Sequence, residues 1–301
     1  MVAHELFHAV QNAYDPELDR FWAEGMAQCA MKNVFPELVD FEGQLPAFFK
    51  DPTRSLDTQP SGVTAGFLYG SSVWPLFLTL RHGPSTVREV FEHETDGTKS
   101  IAAVDAVLAT KGSSLAEEYP LFGAWNTATK ALAGDGGYPD AAKYPGVKVA
   151  VLEDGASAIT SGLAYYSYRG TLDEPSKISL ETDPARNAGV AVPIDGGKPD
   201  LSRAVKLPAN LEGDVLVVVA GITAKKTDAP FTLRIGAPDA EAPAGPNAEG
   251  PPLGGASGES GGCAVAAAAG LASARAGWAC AALGVALAGL VAARRRRTCS
   301  V

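Results

Sequence analysis

The amino-acid sequence changes its periodicity once, between Gly134 and Gly146, where Gly, Pro and Asp interrupt a helical pattern. Residues 1–133 show no convincing alternating strand, and we predict a mainly helical part there. Residues 148–235 contain short runs rich in Val, Ile, Tyr and Phe between polar turns, a pattern typical of a small antiparallel β-sandwich. We therefore predict an α+β fold in which residues 134–147 form a linker.

The C-terminal residues predict a tether to a membrane. Residues 236–262 are dominated by Gly, Pro, Ala and acidic residues, so we predict a disordered linker that buries no core. The uncharged residues 276–293 have the minimum length of a transmembrane helix, and the four arginines 294–297 that follow favour a cytoplasmic C-terminus. Residues 1–262 are then exported, but the sequence starts without an export signal, so we expect further sequence before residue 1.

The charge distribution argues against a nucleic-acid partner. The net charge is −9, from 25 basic and 34 acidic residues. Residues 263–301 hold five arginines and no acid, so the remaining 262 residues carry 20 basic against 34 acidic residues, or −14. Such an acidic body binds phosphate poorly, and we predict no nucleic-acid binding.

Two histidines lie four positions apart in the segment HELFH, residues 4–8. On a helix, His4 and His8 share one face and can bind a single metal ion, with Glu5 beside them. Zinc held by two imidazoles needs a third protein ligand and an open position, while the intervening Glu can act as general base. HExxH alone also occurs on exposed helices that bind no metal, so a third ligand has to be identified.

Glu24 is the candidate for that third ligand. It lies in the apolar helical segment FWAEGMA, and fifteen residues separate it from His8. An unpaired buried carboxylate is energetically costly, and binding to zinc would remove that cost. Asp15, Glu17 and Asp19 fall in a polar turn, where solvated charge is expected. We therefore predict Zn²⁺ bound by His4, His8 and Glu24.

HELFHAVQ followed by FWAEGMAQ resembles the HExxH and W-x-E-G pair of the gluzincin peptidases, the wide thermolysin-like and aminopeptidase-like group. The metzincin pattern HExxHxxGxxH would need a glycine and a histidine where Gln11 and Tyr14 stand. The resemblance implies a zinc metallopeptidase that acts on peptide or protein substrates, in which Glu24 binds zinc and Glu5 activates water. Endopeptidase and aminopeptidase action both stay open.

Tyr69 is the candidate donor to the oxyanion that forms during peptide hydrolysis. Its segment, GFLYGSSVWPLF, resembles the part of aminopeptidase-type gluzincins in which a Tyr just before a helix donates a hydrogen bond to the substrate carbonyl. The alternative is an ordinary half-buried aromatic residue. We expect His82 at a helix C-terminus, His93 in a charged turn facing solvent, and Cys29 as a buried apolar residue.

The C-terminal segment 263–301, preceded by Gly261 and Gly262, resembles a MYXO-CTERM-type sorting signal: a cysteine motif, an apolar span and a basic end. The resemblance implies a processing enzyme that acts near Cys263 and display at the cell surface; a plain membrane anchor is the alternative. The leading hypothesis is a zinc peptidase of the cell envelope. The alternative from another class is a non-catalytic envelope or adhesion protein whose helical part is structural.

Overall fold

Helices fill the first part of the chain in the computed structural model, which describes residues 2–37, 39–95, 97–224 and 227–238. The strands follow, so the α+β class is confirmed. The helices are α1 (Val2–Tyr14), α2 (Arg20–Val34), α3 (Asp40–Phe49), α4 (Gly66–Gly70), α5 (Val73–His82), α6 (Thr86–Glu94), α7 (Ser100–Thr110) and α8 (Leu115–Thr127).

An aromatic core joins α5 to α8. Phe122 of α8 is fully buried, and its ring centroid lies 4.9 Å from that of Trp74 and 5.5 Å from that of Phe77. Tyr119, one turn earlier on α8, lies 5.4 Å from Trp74 and donates a hydrogen bond to the Leu163 carbonyl. Each buried aromatic contributes about 1.5–3 kcal/mol through burial, so this cluster anchors the helical part to the chain that enters the sheet.

The strands are β1 (Ala150–Val151), β2 (Ser157–Ser161), β3 (Tyr165–Thr182), β4 (Asn187–Asp195), β5 (Lys198–Pro199), β6 (Val205–Lys206), β7 (Ala209–Gly221) and β8 (Asp228–Gly236). Within the described residues they form one eight-stranded sheet with the order β2-β8-β3-β7-β4-β5, while β1 pairs with β3 and β6 with β4. All pairs are antiparallel except β1 with β3.

The second half of the central strand β7, from Val215 to Gly221, is buried on both faces. Leu216, Val218 and Ala220 belong to the core shared with the helices, and the alternate residues Val217 and Val219 belong to a second apolar cluster on the other face. Successive side chains of a strand point to opposite faces. The uninterrupted run VLVVVA is therefore the pattern expected of a strand that is covered on both sides.

The strands form one sheet rather than separate sheets, because a single long strand, β3, joins both halves of it. The sequence predicts two separate strands at LAYYSY and KISLET, but both segments belong to β3 or to its start. The register between β3 and β7 shifts between Leu172 and Ser176. The second half of β3 pairs with β8. The ring centroid of Tyr168, in the first half of β3, lies 6.3 Å from that of Phe231, which pairs with Thr182 in the second half. The sheet therefore folds back over its own apolar face.

Residues 134–147, the predicted linker, pack against the helical core. Tyr138 and Tyr144 are buried, and the Tyr138 hydroxyl donates a 2.9 Å hydrogen bond to Oδ1 of Asn126 on α8. The Tyr138 ring also meets Trp125 edge to face at 5.1 Å. These contacts make the segment part of the core.

The predicted linker beyond residue 238 and the predicted sorting signal, with its helix at 276–293, lie outside the described residues.

One helical stretch in the described part of the chain, Gly62–His82, is long and apolar enough to cross a membrane by length and composition alone. Its buried share is 61%, and it contains Trp74 and Phe77 of the aromatic core. Packing against α2, α3 and α8 accounts for its apolar composition.

Candidate metal centre

Helices α1 and α2 bring three potential metal ligands together. Nε2 of His4 lies 3.1 Å from Nε2 of His8. Oε2 of Glu24 lies 3.3 Å from Nε2 of His4 and 3.6 Å from Nε2 of His8. His4 and His8 come from successive turns of α1, as their spacing predicts, and Glu24 faces them from the second turn of α2.

These three atoms fit a zinc ion. Zinc–ligand bonds of about 2.0–2.1 Å at tetrahedral angles separate neighbouring ligand atoms by about 3.3–3.4 Å, which matches the three observed distances. Oε2 of Glu24 is buried and has no hydrogen-bond partner among the described residues, although a buried carboxylate oxygen requires compensation. A cation between His4, His8 and Glu24 would supply it, and the three ligands would leave one tetrahedral position open.

An aromatic cluster holds α1 and α2 in place. Phe91 of α6 contacts both helices. Its ring stacks on that of Tyr14 of α1, with the centroids 5.6 Å apart. The Phe91 centroid also lies 6.2 Å from that of Phe7 on α1 and 6.5 Å from that of Trp22 on α2. Phe7 adjoins His8, and Trp22 precedes Glu24 by two residues. The apolar contacts of these helices therefore fix the distance between the candidate ligands.

Gln11 links the two helices beside the candidate ligands. Its Nε2 donates a 2.8 Å hydrogen bond to the carbonyl of Ala23, and its Oε1 lies 2.6 Å from Nδ1 of His8. The side chain is 2% exposed. Sequence reasoning uses Gln11 only to exclude the metzincin pattern, because its contact with a backbone carbonyl of another helix leaves no signal in the sequence.

Tyr69 lies near the candidate ligands because α2 and α4 pack closely. Its ring centroid is 6.0 Å from that of His4. A Cβ added to Gly25, the residue after Glu24, would stand only 3.0 Å from Oγ of Ser71. The glycine of the W-x-E-G pattern thus permits the approach of the segment that carries Tyr69.

The charges of Glu5 and Arg20, as well as that of Glu24, act on the Tyr69 hydroxyl. Burial is the largest cause that raises the pKa of the Tyr69 hydroxyl, and the negative charges of Glu24 and Glu5 raise it further, while Arg20 opposes them. A raised pKa keeps the hydroxyl protonated and able to donate a hydrogen bond. Glu5 is exposed and stands outside the cluster of three ligand atoms, so its carboxylate is accessible to water.

The remaining candidates lie away from this centre. His82 ends α5, as predicted, and its Nε2 is 3.1 Å from Oε1 of the buried Glu118, which also binds Arg81. His93 is partly exposed, but it lies in the last turn of helix α6 and not in a turn between elements, where the sequence predicts it. Cys29 is buried, as predicted, and burial raises the pKa of its thiol to about 12.

Comparisons of this chain with protein-family models, with curated proteins and with solved structures find no match.

Proposed function

We propose that this protein is a zinc-dependent peptidase of the gluzincin type, with His4, His8 and Glu24 as the metal ligands. The convergence of two imidazole nitrogens and one buried carboxylate oxygen at distances of 3.1, 3.3 and 3.6 Å carries the proposal. Three protein ligands with one open position are the arrangement of catalytic rather than structural zinc. The substrate class is a peptide or protein.

The residues around the metal have distinct roles. Bound zinc would act as a Lewis acid on the scissile carbonyl and lower the pKa of water. The Glu5 carboxylate accepts the proton of the attacking water and passes it to the leaving amine. The Tyr69 hydroxyl, whose ring lies 6.0 Å from that of His4, donates a hydrogen bond to the oxyanion of the substrate.

The test combines metal content with hydrolysis by the full chain. We expect one zinc per chain and release of fluorescence from quenched peptides. Glu5→Gln should retain zinc and lose hydrolysis by about 10²–10⁴-fold, the contribution typical of a general base. Glu17→Gln removes a carboxylate from the exposed turn between α1 and α2 and is the matched control, with unchanged activity.

Two outcomes would refute the proposal. A folded protein without bound zinc would leave a non-catalytic envelope or adhesion protein as the better description. Retention of activity in Glu5→Gln would remove the general base from the mechanism.

We further propose that the enzyme acts at the cell envelope, anchored by residues 276–293 or released after processing near Cys263. The support is the sequence pattern of the C-terminal segment, with its apolar span and its four arginines. Fractionation of the cells that make the native protein, and of the same cells with Cys263→Ser, tests both parts. Cytoplasmic recovery of the wild type would refute the location, and unchanged processing of the variant would refute the role of Cys263.

A further inference from the structure

Gln11 is a buried polar residue whose two hydrogen-bonding groups have different partners. Its Nε2 reaches the carbonyl of Ala23 on α2 at 2.8 Å, and its Oε1 reaches Nδ1 of His8 on α1 at 2.6 Å. Ala23 immediately precedes Glu24. One amide group thus contacts a candidate ligand directly and the backbone beside another.

These contacts determine the position of the proton on His8. A backbone carbonyl only accepts hydrogen bonds, so the NH₂ group of Gln11 must face Ala23. The amide oxygen then faces His8, and because this oxygen also only accepts, Nδ1 of His8 must carry the proton. A neutral imidazole with its proton on Nδ1 has its lone pair on Nε2, the atom that faces His4 and Glu24.

We propose that Gln11 is a positioning residue that holds His8 in the tautomer required for metal binding and holds α1 in register with Glu24. The inference rests on the proposed zinc site. Partners of this kind, placed behind a metal-binding histidine, fix the orientation of the ring and typically contribute 10–100-fold to metal affinity. Here the partner is the Gln11 amide, which also donates a hydrogen bond to the Ala23 carbonyl on α2.

The first measurement reads the tautomer of His8 without metal. The full chain has four histidines, so ¹⁵N-histidine labelling gives few signals to assign. In mildly alkaline solution we expect wild-type His8 to show protonated Nδ1 and unprotonated Nε2. Gln11→Met, which keeps an unbranched side chain of similar size, should shift His8 towards the Nε2–H tautomer.

The second measurement is zinc affinity by competition with a chromophoric chelator. Gln11→Met should bind zinc about 10–100-fold more weakly than the wild type. Gln11→Glu supplies another acceptor for the Nδ1–H group but no donor to the Ala23 carbonyl, so it should recover the tautomer and only part of the affinity. Gln44→Met changes a half-buried glutamine on α3 and should leave both readouts unchanged.

The outcomes separate this inference from the proposed function. Zinc binding that is equal in the wild type and Gln11→Met, with the same His8 tautomer, would overturn the role of Gln11 and leave the zinc site standing. The same shift of the His8 tautomer in Gln11→Met and Gln11→Glu would also overturn it, because the acceptor would then not set the tautomer. A wild type that shows the expected tautomer but binds no zinc would refute the metal site itself and, with it, the contribution of Gln11 to affinity.

Discussion

Replacement of Glu94 by Gln should remove a pH-dependent loss of stability. Glu94 ends α6 and is 2% exposed. Burial raises the pKa of its carboxyl from 4.5 to about 7; the charges of Asp15 and Asp19 add to the rise, while the side chains of Ser100 and Trp22 oppose it. The native state therefore binds this proton more tightly than the unfolded chain between about pH 4.5 and 7.

The sign and magnitude follow from proton linkage. Stability falls with rising pH wherever the native state binds more protons, so the Glu94 contribution is fully present below about pH 4.5 and is lost by about pH 7. A difference of about 2.5 pKa units corresponds to about 3 kcal/mol. Glu94→Gln stays neutral at every pH, so at pH 8 it should gain about 3 kcal/mol over the wild type, relative to their difference at pH 4.5.

Urea denaturation followed by tryptophan fluorescence between about pH 4.5 and 8.5 measures this effect. The difference between the wild-type and Glu94→Gln curves cancels other titrating groups and isolates Glu94. Glu92→Gln changes an exposed carboxylate on the same helix and should follow the wild-type curve. If the Glu94→Gln and wild-type curves run parallel across this range, the carboxyl does not titrate as a buried group and the reasoning fails.

Three further predictions concern packing. Gly123→Ala should destabilise the fold by about 1–3 kcal/mol in urea, because the new Cβ would stand 2.8 Å from Cγ1 of Val218; unchanged stability would mean that α8 can move away from the sheet. Phe122→Ala should lower the free energy of unfolding by about 3–5 kcal/mol, whereas Phe35→Ala, at a partly exposed position, should lower it little. Similar losses in the two variants would contradict the position of the core. Native Cys29 should resist alkylation at pH 8, as peptide mapping would show, and rapid labelling would contradict its burial.

The secondary structure was more accessible to prediction than the pairing of the strands. Local composition indicates helices before residue 134 and strands after residue 147, and both are present. Tyr138 of the intervening segment is buried because Trp125 and Asn126 receive it, and these partners come from a helix that local composition cannot relate to it. The continuity of β3 likewise depends on pairing with β7 and β8, which are distant in sequence.

The candidate ligands were predictable because each leaves a local signal. His4 and His8 have the spacing of one helix face, and Glu24 is a carboxylate in an apolar segment, which is costly without a partner. Gln11 leaves no such signal, since its second partner is the backbone carbonyl of Ala23, a group that every residue type carries. A sequence motif can therefore indicate the candidate ligands, whereas the hydrogen bonds of Gln11 depend on packing between helices. A chain with the same HExxH and Glu but an apolar residue at the position of Gln11 should place the same ligands and bind zinc more weakly.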